Sequence, residues 1–150
     1  MIKLYSKPLI IGTIILVFIL QSYNLVAVEN TKLIVNIINT ESNDGQLVIY
    51  LHNNPEHFPK ERDKAFKVIK TKIKNNKAEI NFTDIPSGVY AIAVHHDENG
   101  NNKVDKNFVG IPNEDFGVSN NAKGFMGPPS FEDASFKVDG KSTTITIKMD

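Results

Sequence analysis

Apolar and polar positions alternate along most of this chain with a period of two, and turn residues interrupt them at short intervals. Lys32–Asn39 (KLIVNIIN) is rich in β-branched residues. Gln46–His52 (QLVIYLH) follows an Asn43-Asp44-Gly45 turn signal, which predicts a hairpin between these two segments. Lys77–Phe82 alternates, with Ala78, Ile80 and Phe82 on one face. Gly88–His95 (GVYAIAVH) is apolar on both faces and reads as a central strand. Ala134–Val138 and Thr143–Lys148 supply two more strands, with Asp139-Gly140 as a second hairpin signal. Residues 65–74 fit two patterns. Ala65, Ile69 and Ile73 have helical spacing, whereas Lys70, Lys72 and Lys74 alternate as on the solvent face of an edge strand, where lysines discourage edge-to-edge pairing. The lysines have no interleaved aromatics, so the edge-strand reading is preferred to a binding patch. About seven short strands predict an all-β fold, an Ig-like or transthyretin-like sandwich.

The N-terminus breaks this pattern. Residues 9–20 (LIIGTIILVFIL) form an apolar run preceded by Lys3 and Lys7 and followed by polar Gln21 and Ser22. This matches a secretory signal peptide with cleavage after Ala27. The run falls short of the roughly 20 apolar residues that span a bilayer, so an uncleaved anchor is the second reading. The predicted organisation is a signal peptide (or membrane anchor) over 1–27 and one sandwich domain over 28–150. The protein is then exported, periplasmic or extracellular, and meets a membrane only through an uncleaved N-terminal segment.

Composition narrows the chemistry. There is no Cys, which excludes disulfides, thiolate metal sites, a cysteine nucleophile and a lipidated N-terminal Cys. Basic and acidic residues balance at 17 each. Nucleic-acid binding by phosphate neutralisation calls for a basic excess, so no nucleic-acid partner is expected. No phosphate loop or dinucleotide fingerprint occurs, and Ser119 and Ser130 lack a nucleophile-elbow context.

The stretch 97–130 has neither strand nor helix pattern. It carries Gly100, Gly110, Gly117, Gly124 and Gly127 together with Pro112, Pro128 and Pro129. Loops longer than about 12–15 residues in compact domains are usually functional or disordered. Phe108, Val109, Ile111, Phe116, Val118, Phe125 and Met126 are dispersed through it, which predicts an ordered loop packed over the sandwich as a cap.

The start of this loop, His95-His96-Asp97-Glu98-Asn99-Gly100-Asn101-Asn102-Lys103-Val104-Asp105, carries candidate ion chemistry. Asp97, Asn99, Asn101 and Asp105 fall at positions 1, 3, 5 and 9 of a calcium-loop count, with Lys103 at the backbone-carbonyl position. Oxygen donors at alternate positions suit a hard cation. The bidentate Glu of the full motif is missing, because Phe108 stands in its place. Glu114 or Asp115 is the candidate to close the site. Asn102 stands where the motif has Gly, and Asn tolerates the left-handed conformation needed there. So few charges predict weak binding, about 10⁻⁴–10⁻³ M. The competing account is an Asx-rich turn bonded to its own backbone. His95 and His96 point to opposite faces of a strand and cannot easily share an ion. One of them, helped by His52 or His57, is the basis of a metal or acid–base alternative.

Phe82-Thr83-Asp84-Ile85-Pro86-Ser87-Gly88-Val89-Tyr90-Ala91 resembles the motif that opens a strand in transthyretin-like, prealbumin-type sandwiches. Further matching segments are His96–Asn101, Gly110-Ile111-Pro112, Phe116–Ala122 and Gly127–Ala134. With them, the chain resembles a family of secreted bacterial proteins known as domain of unknown function 2141. The resemblance covers most of residues 32–149. It implies a signal peptide and one β-sandwich-like domain, and supplies no activity. Where such loops often read N-G-N-G-K-x-D, this chain has Asn102 in the second Gly position.

Together these readings predict an exported, non-enzymatic sandwich domain of the cell envelope with a calcium-binding loop. Its partner would be another envelope protein, a glycan or a small ligand. The alternative is a hydrolytic or metal-dependent enzyme using His96 and loop carboxylates.

Overall fold

The computed structural model describes residues 31–110 and 112–150. The expected leader over 1–27 lies outside them. The described chain is an all-β sandwich. Its strands are β1 (Leu33–Ile38), β2 (Gln46–His52), β3 (Lys67–Thr71), β4 (Lys77–Phe82), β5 (Gly88–Asp97), β6 (Phe116–Val118), β7 (Phe136–Val138) and β8 (Thr143–Lys148). One sheet has the order β4-β1-β8, with β1 antiparallel to β4 and parallel to β8. The other runs β3-β2-β5 and continues across the far edge of β5. That edge is shared: β7 pairs with Gly88–Tyr90 and β6 with Ala93–His95.

The period of two in the sequence decides what faces inward. Leu33, Val35 and Ile37 of β1 meet Ile80 and Phe82 of β4 and Ile147 of β8. They pack against Leu47, Ile49 and Leu51 of β2 and Tyr90, Ile92 and Val94 of β5. The outer face of β5 is covered too. Ala91 and Ala93 join Phe58 and Ala134 in a second small core, and Phe131 packs on it from the single helical turn α1 (Phe131–Ala134). Coverage on both faces explains why β5 reads as apolar throughout, and every residue from Tyr90 to Asp97 is buried.

Both predicted hairpins are wrong. The turn at 43–45 joins β1 to β2, but these strands lie in different sheets. Asp139-Gly140 joins β7, which pairs with β5, to β8, which pairs with β1. Each turn carries the chain from one layer to the other, because the apolar rows of the two strands face each other across the core instead of sharing one face.

Residues 65–74 contain an edge strand, β3, not a helix. The segment 97–130 is not one structureless loop, since it holds β6 and a 3₁₀ turn over Ser119–Asn121. Its apolar residues do not all pack down. Phe116 and Val118 are half-buried in β6, while Phe108, Val109, Phe125 and Met126 are exposed.

Ser119 fills the gap between β6 and β7 on the edge of β5. Its hydroxyl accepts from the Ile92 amide at 2.9 Å and donates to the Ala134 carbonyl at 2.5 Å. This side chain supplies the bond that a continuous neighbouring strand would have made.

Candidate functional site

The first candidate site lies where β5 runs out into the loop. Gln46 pairs with Asp97 in the ladder between β2 and β5. Asp97 therefore sits at the rim of the sandwich with its carboxylate fully buried. Its Oδ2 accepts from Gln46 Nε2 at 2.9 Å and from the Asn102 amide at 3.1 Å. Its Oδ1 is buried without a hydrogen-bond partner. Burial alone would raise the Asp97 carboxyl pKa. The hydrogen bonds from Gln46 and Asn102, with smaller help from His95 and the Asn101 amide, outweigh it and hold the group below its ordinary value of 3.8. Asp97 is thus ionised at neutral pH.

The loop continues from here through a series of Asx turns whose side-chain amides converge on Asp105. Asn101 N–H donates to Asn99 Oδ1 at 3.0 Å, and Lys103 N–H to Asn101 Oδ1 at 2.7 Å. Asn101 Nδ2 donates to Asp105 Oδ2 at 3.0 Å, and Asn99 Nδ2 also donates to that oxygen. Asn102 has φ 62°, the left-handed conformation expected at this position, and Gly100 has φ 74°. Lys70 of β3 and Gln46 both donate to Asn102 Oδ1. The structure thus joins Asn99, Asn101 and Asp105 through side chains, and ties Asp97 in through Asn102. Lys103 takes part through its amide.

The turn before β2 supports this arrangement closely. Gly45 has φ 62°, and a Cβ there would lie 2.0 Å from the Asp97 carbonyl oxygen. Only glycine permits that approach without a shift of backbone.

The two carboxylates named as closing groups go different ways. Asp115 Oδ2 accepts from Glu41 N–H at 3.3 Å. Glu114 is buried beside the end of the loop. Its Oε2 accepts from the Asp105 amide at 2.9 Å and lies 2.7 Å from His95 Nε2, while its Oε1 is buried and unpartnered. Among the described residues no three His, Asp or Glu side chains converge as metal ligands. The loop's own donor set is two carboxylates and two amides, which suits a hard cation better than zinc.

The adjacent histidines diverge as strand geometry requires. His96 is fully buried, with Nε2 3.0 Å from the Asp44 carbonyl. His95 lies on the outer face, stacked on Phe116 at 5.1 Å between centroids, with Nδ1 3.5 Å from Arg62 Nη1. Burial lowers the His95 pKa. Arg62 adds to the lowering, while Glu114 opposes it. Ser130 has a structural role as the N-cap of α1, accepting from Asp133 N–H.

Sequence reasoning missed Gln46 and Arg62. Neither carries a motif, and each reaches its place only through strand pairing or a loop fold-back.

A family model described as an uncharacterized protein conserved in bacteria (DUF2141) matches residues 35–146. The chain belongs to this family. The matched span runs from inside β1 to inside β8, so it takes in both sheets and the whole loop. The motifs quoted from the loop, from His96–Asn101 to Gly127–Ala134, thus fall within the DUF2141 domain. No curated protein and no solved structure matches the chain.

Proposed function

We propose that this DUF2141 protein is an exported, non-enzymatic binding module of the cell envelope whose 97–105 loop holds calcium. The carrying observation is the divided state of the Asp97 carboxylate. One oxygen is held by Gln46 and the Asn102 amide, and the other is buried, ionised and free of any hydrogen bond. A buried charged oxygen without a partner is costly, and a cation removes that cost. Asn99, Asn101 and Asp105 bring further oxygens to the same short loop, and the left-handed Asn102 supplies the curl that such loops need. The envelope placement rests on the apolar run at 9–20 with its lysine flank.

The hydrolytic alternative draws less support. His96 is enclosed and engaged with a backbone carbonyl, so it has no open path to a substrate.

Calcium titration followed by amide NMR tests the reading. Saturable shifts concentrated in residues 97–106 at submillimolar to millimolar calcium are the expected result. Magnesium should act more weakly, because its octahedral demand fits a flexible loop poorly. An unchanged loop spectrum at saturating calcium contradicts the reading.

A further inference from the structure

A second feature lies outside the loop. A groove of about 870 Å³ runs over the outer face of β5 between the segments around Pro112 and Pro129. That size matches pockets that enclose small organic ligands. Its walls are mostly apolar, including Val104, Val118 and the prolines, and Lys60 and Lys106 stand along it.

Arg62 gives the groove its chemistry. Its guanidinium lies 5.5 Å from the Tyr50 ring centroid and 5.3 Å from that of Phe116. It is half-buried, and among the described residues no Asp or Glu forms an ion pair with it. Neighbouring Glu61 is 3.4 Å from His57 instead. Glu114, a buried carboxylate nearby, is taken by His95 and by the Asp105 amide. The His95 ring stands between Glu114 and Arg62, with one nitrogen toward each.

A guanidinium has five N–H donors. Among the described residues they reach His95 Nδ1, at 3.5 Å. An oriented, half-buried guanidinium fork that pairs with no carboxylate among the described residues, set in an apolar groove beside two lysines, has the complement of an organic anion. We infer that this groove binds a small organic carboxylate whose flat apolar body lies along the proline-lined walls and whose carboxylate pairs with Arg62. A carboxylate matches the planar fork through two parallel hydrogen bonds. This inference is independent of calcium binding by the loop.

The test uses the full chain, amide NMR and three probes: naphthoate, its neutral isostere naphthamide, and acetate. Naphthoate should produce saturable shifts at residues 93–95 and 116–118. Naphthamide and acetate should bind at least about tenfold more weakly, since one lacks the charge and the other the apolar body. Arg62→Gln should weaken naphthoate by a similar factor. Arg62→Lys, which keeps the charge and loses the fork, should recover only part of it. Thermal melts of both variants report whether the fold is intact, and if Arg62→Gln does not fold, the comparison of probes on the unaltered protein decides. Equal affinity for naphthoate and naphthamide, shifts outside the groove, or full affinity in a folded Arg62→Gln protein overturns the inference.

Discussion

His95 Nε2 lies 2.7 Å from the Glu114 carboxylate, and both side chains are buried. Because Glu114 also accepts from the Asp105 amide, this pair fastens the far end of the candidate ion loop to the outer face of β5. The hydrogen bond needs a proton on Nε2, which leaves Nδ1 of a neutral ring to accept from Arg62. Glu114→Gln keeps an acceptor and loses the charge. The expected cost is about 1.5 kcal/mol, the difference between a charge-assisted and a neutral hydrogen bond, read from denaturant unfolding.

Acid sensitivity follows from the same burial. His95 and His52 both have pKa values lowered below 6.5, chiefly by desolvation. Below about pH 6.5 the unfolded chain takes up protons that the folded chain refuses, so stability falls as pH drops. Asp97 acts in a different window. Its carboxyl is held below 3.8, so its contribution is present above that value and is lost only in stronger acid. Melting temperatures measured from about pH 7 to pH 3 should therefore fall in two stages.

His52 provides an internal check. Both of its ring nitrogens are buried without hydrogen-bond partners, and the ring packs edge-on against Phe58 at 5.6 Å. Replacing such a group by an apolar one of similar size removes an unmet desolvation penalty. His52→Leu is expected to stabilise the protein by about 1 kcal/mol and to flatten the first stage of the acid profile. A destabilised variant would show that His52 has a partner in solution.

Ser119→Ala tests the bridge on the edge of β5. The change strands the Ile92 amide and the Ala134 carbonyl, which the hydroxyl joins. A loss of about 1–3 kcal/mol is expected in denaturant unfolding.

The strands were largely legible from the sequence, and their partners were not. Gln46–His52, Lys77–Phe82 and Thr143–Lys148 coincide with observed strands because period-two alternation is a local signal of a half-buried strand. Pairing is not local. The Asp44-Gly45 and Asp139-Gly140 signals mark chain reversals, but whether a reversal stays in one sheet depends on which apolar row lies opposite. β6 has only Phe116, Gly117 and Val118, too few for a pattern. Phe125 and Met126 read as apolar anchors, yet apolarity does not say what covers a residue.

The candidate ion loop was legible for the same reason as the strands, since Asp97, Asn99, Asn101 and Asp105 sit within nine consecutive residues. The left-handed conformation at Asn102 was also expected. Glu114 was named from the sequence as a candidate closing group, whereas Gln46 and Arg62 reach the two candidate sites from distant parts of the chain, and no spacing rule connects them.

Gly45→Ala should disturb the loop from its far side. A methyl group there meets the Asp97 carbonyl at 2.0 Å on a backbone with φ 62°. Both a lower melting temperature, by more than about 1 kcal/mol in stability, and a weaker calcium response are expected.

The most direct measurement is a thermal melt of the protein across a calcium titration and with chelator, repeated on Asp97→Asn. A ligand at 100 times its dissociation constant stabilises by about 2.7 kcal/mol. A site of about 10⁻³ M affinity should give a smaller, saturable rise in the millimolar range. The rise should disappear in Asp97→Asn, which keeps an acceptor for the Asn102 amide and lacks the charge. Identical melts with calcium and with chelator would contradict the account and leave the loop as a self-bonded Asx turn.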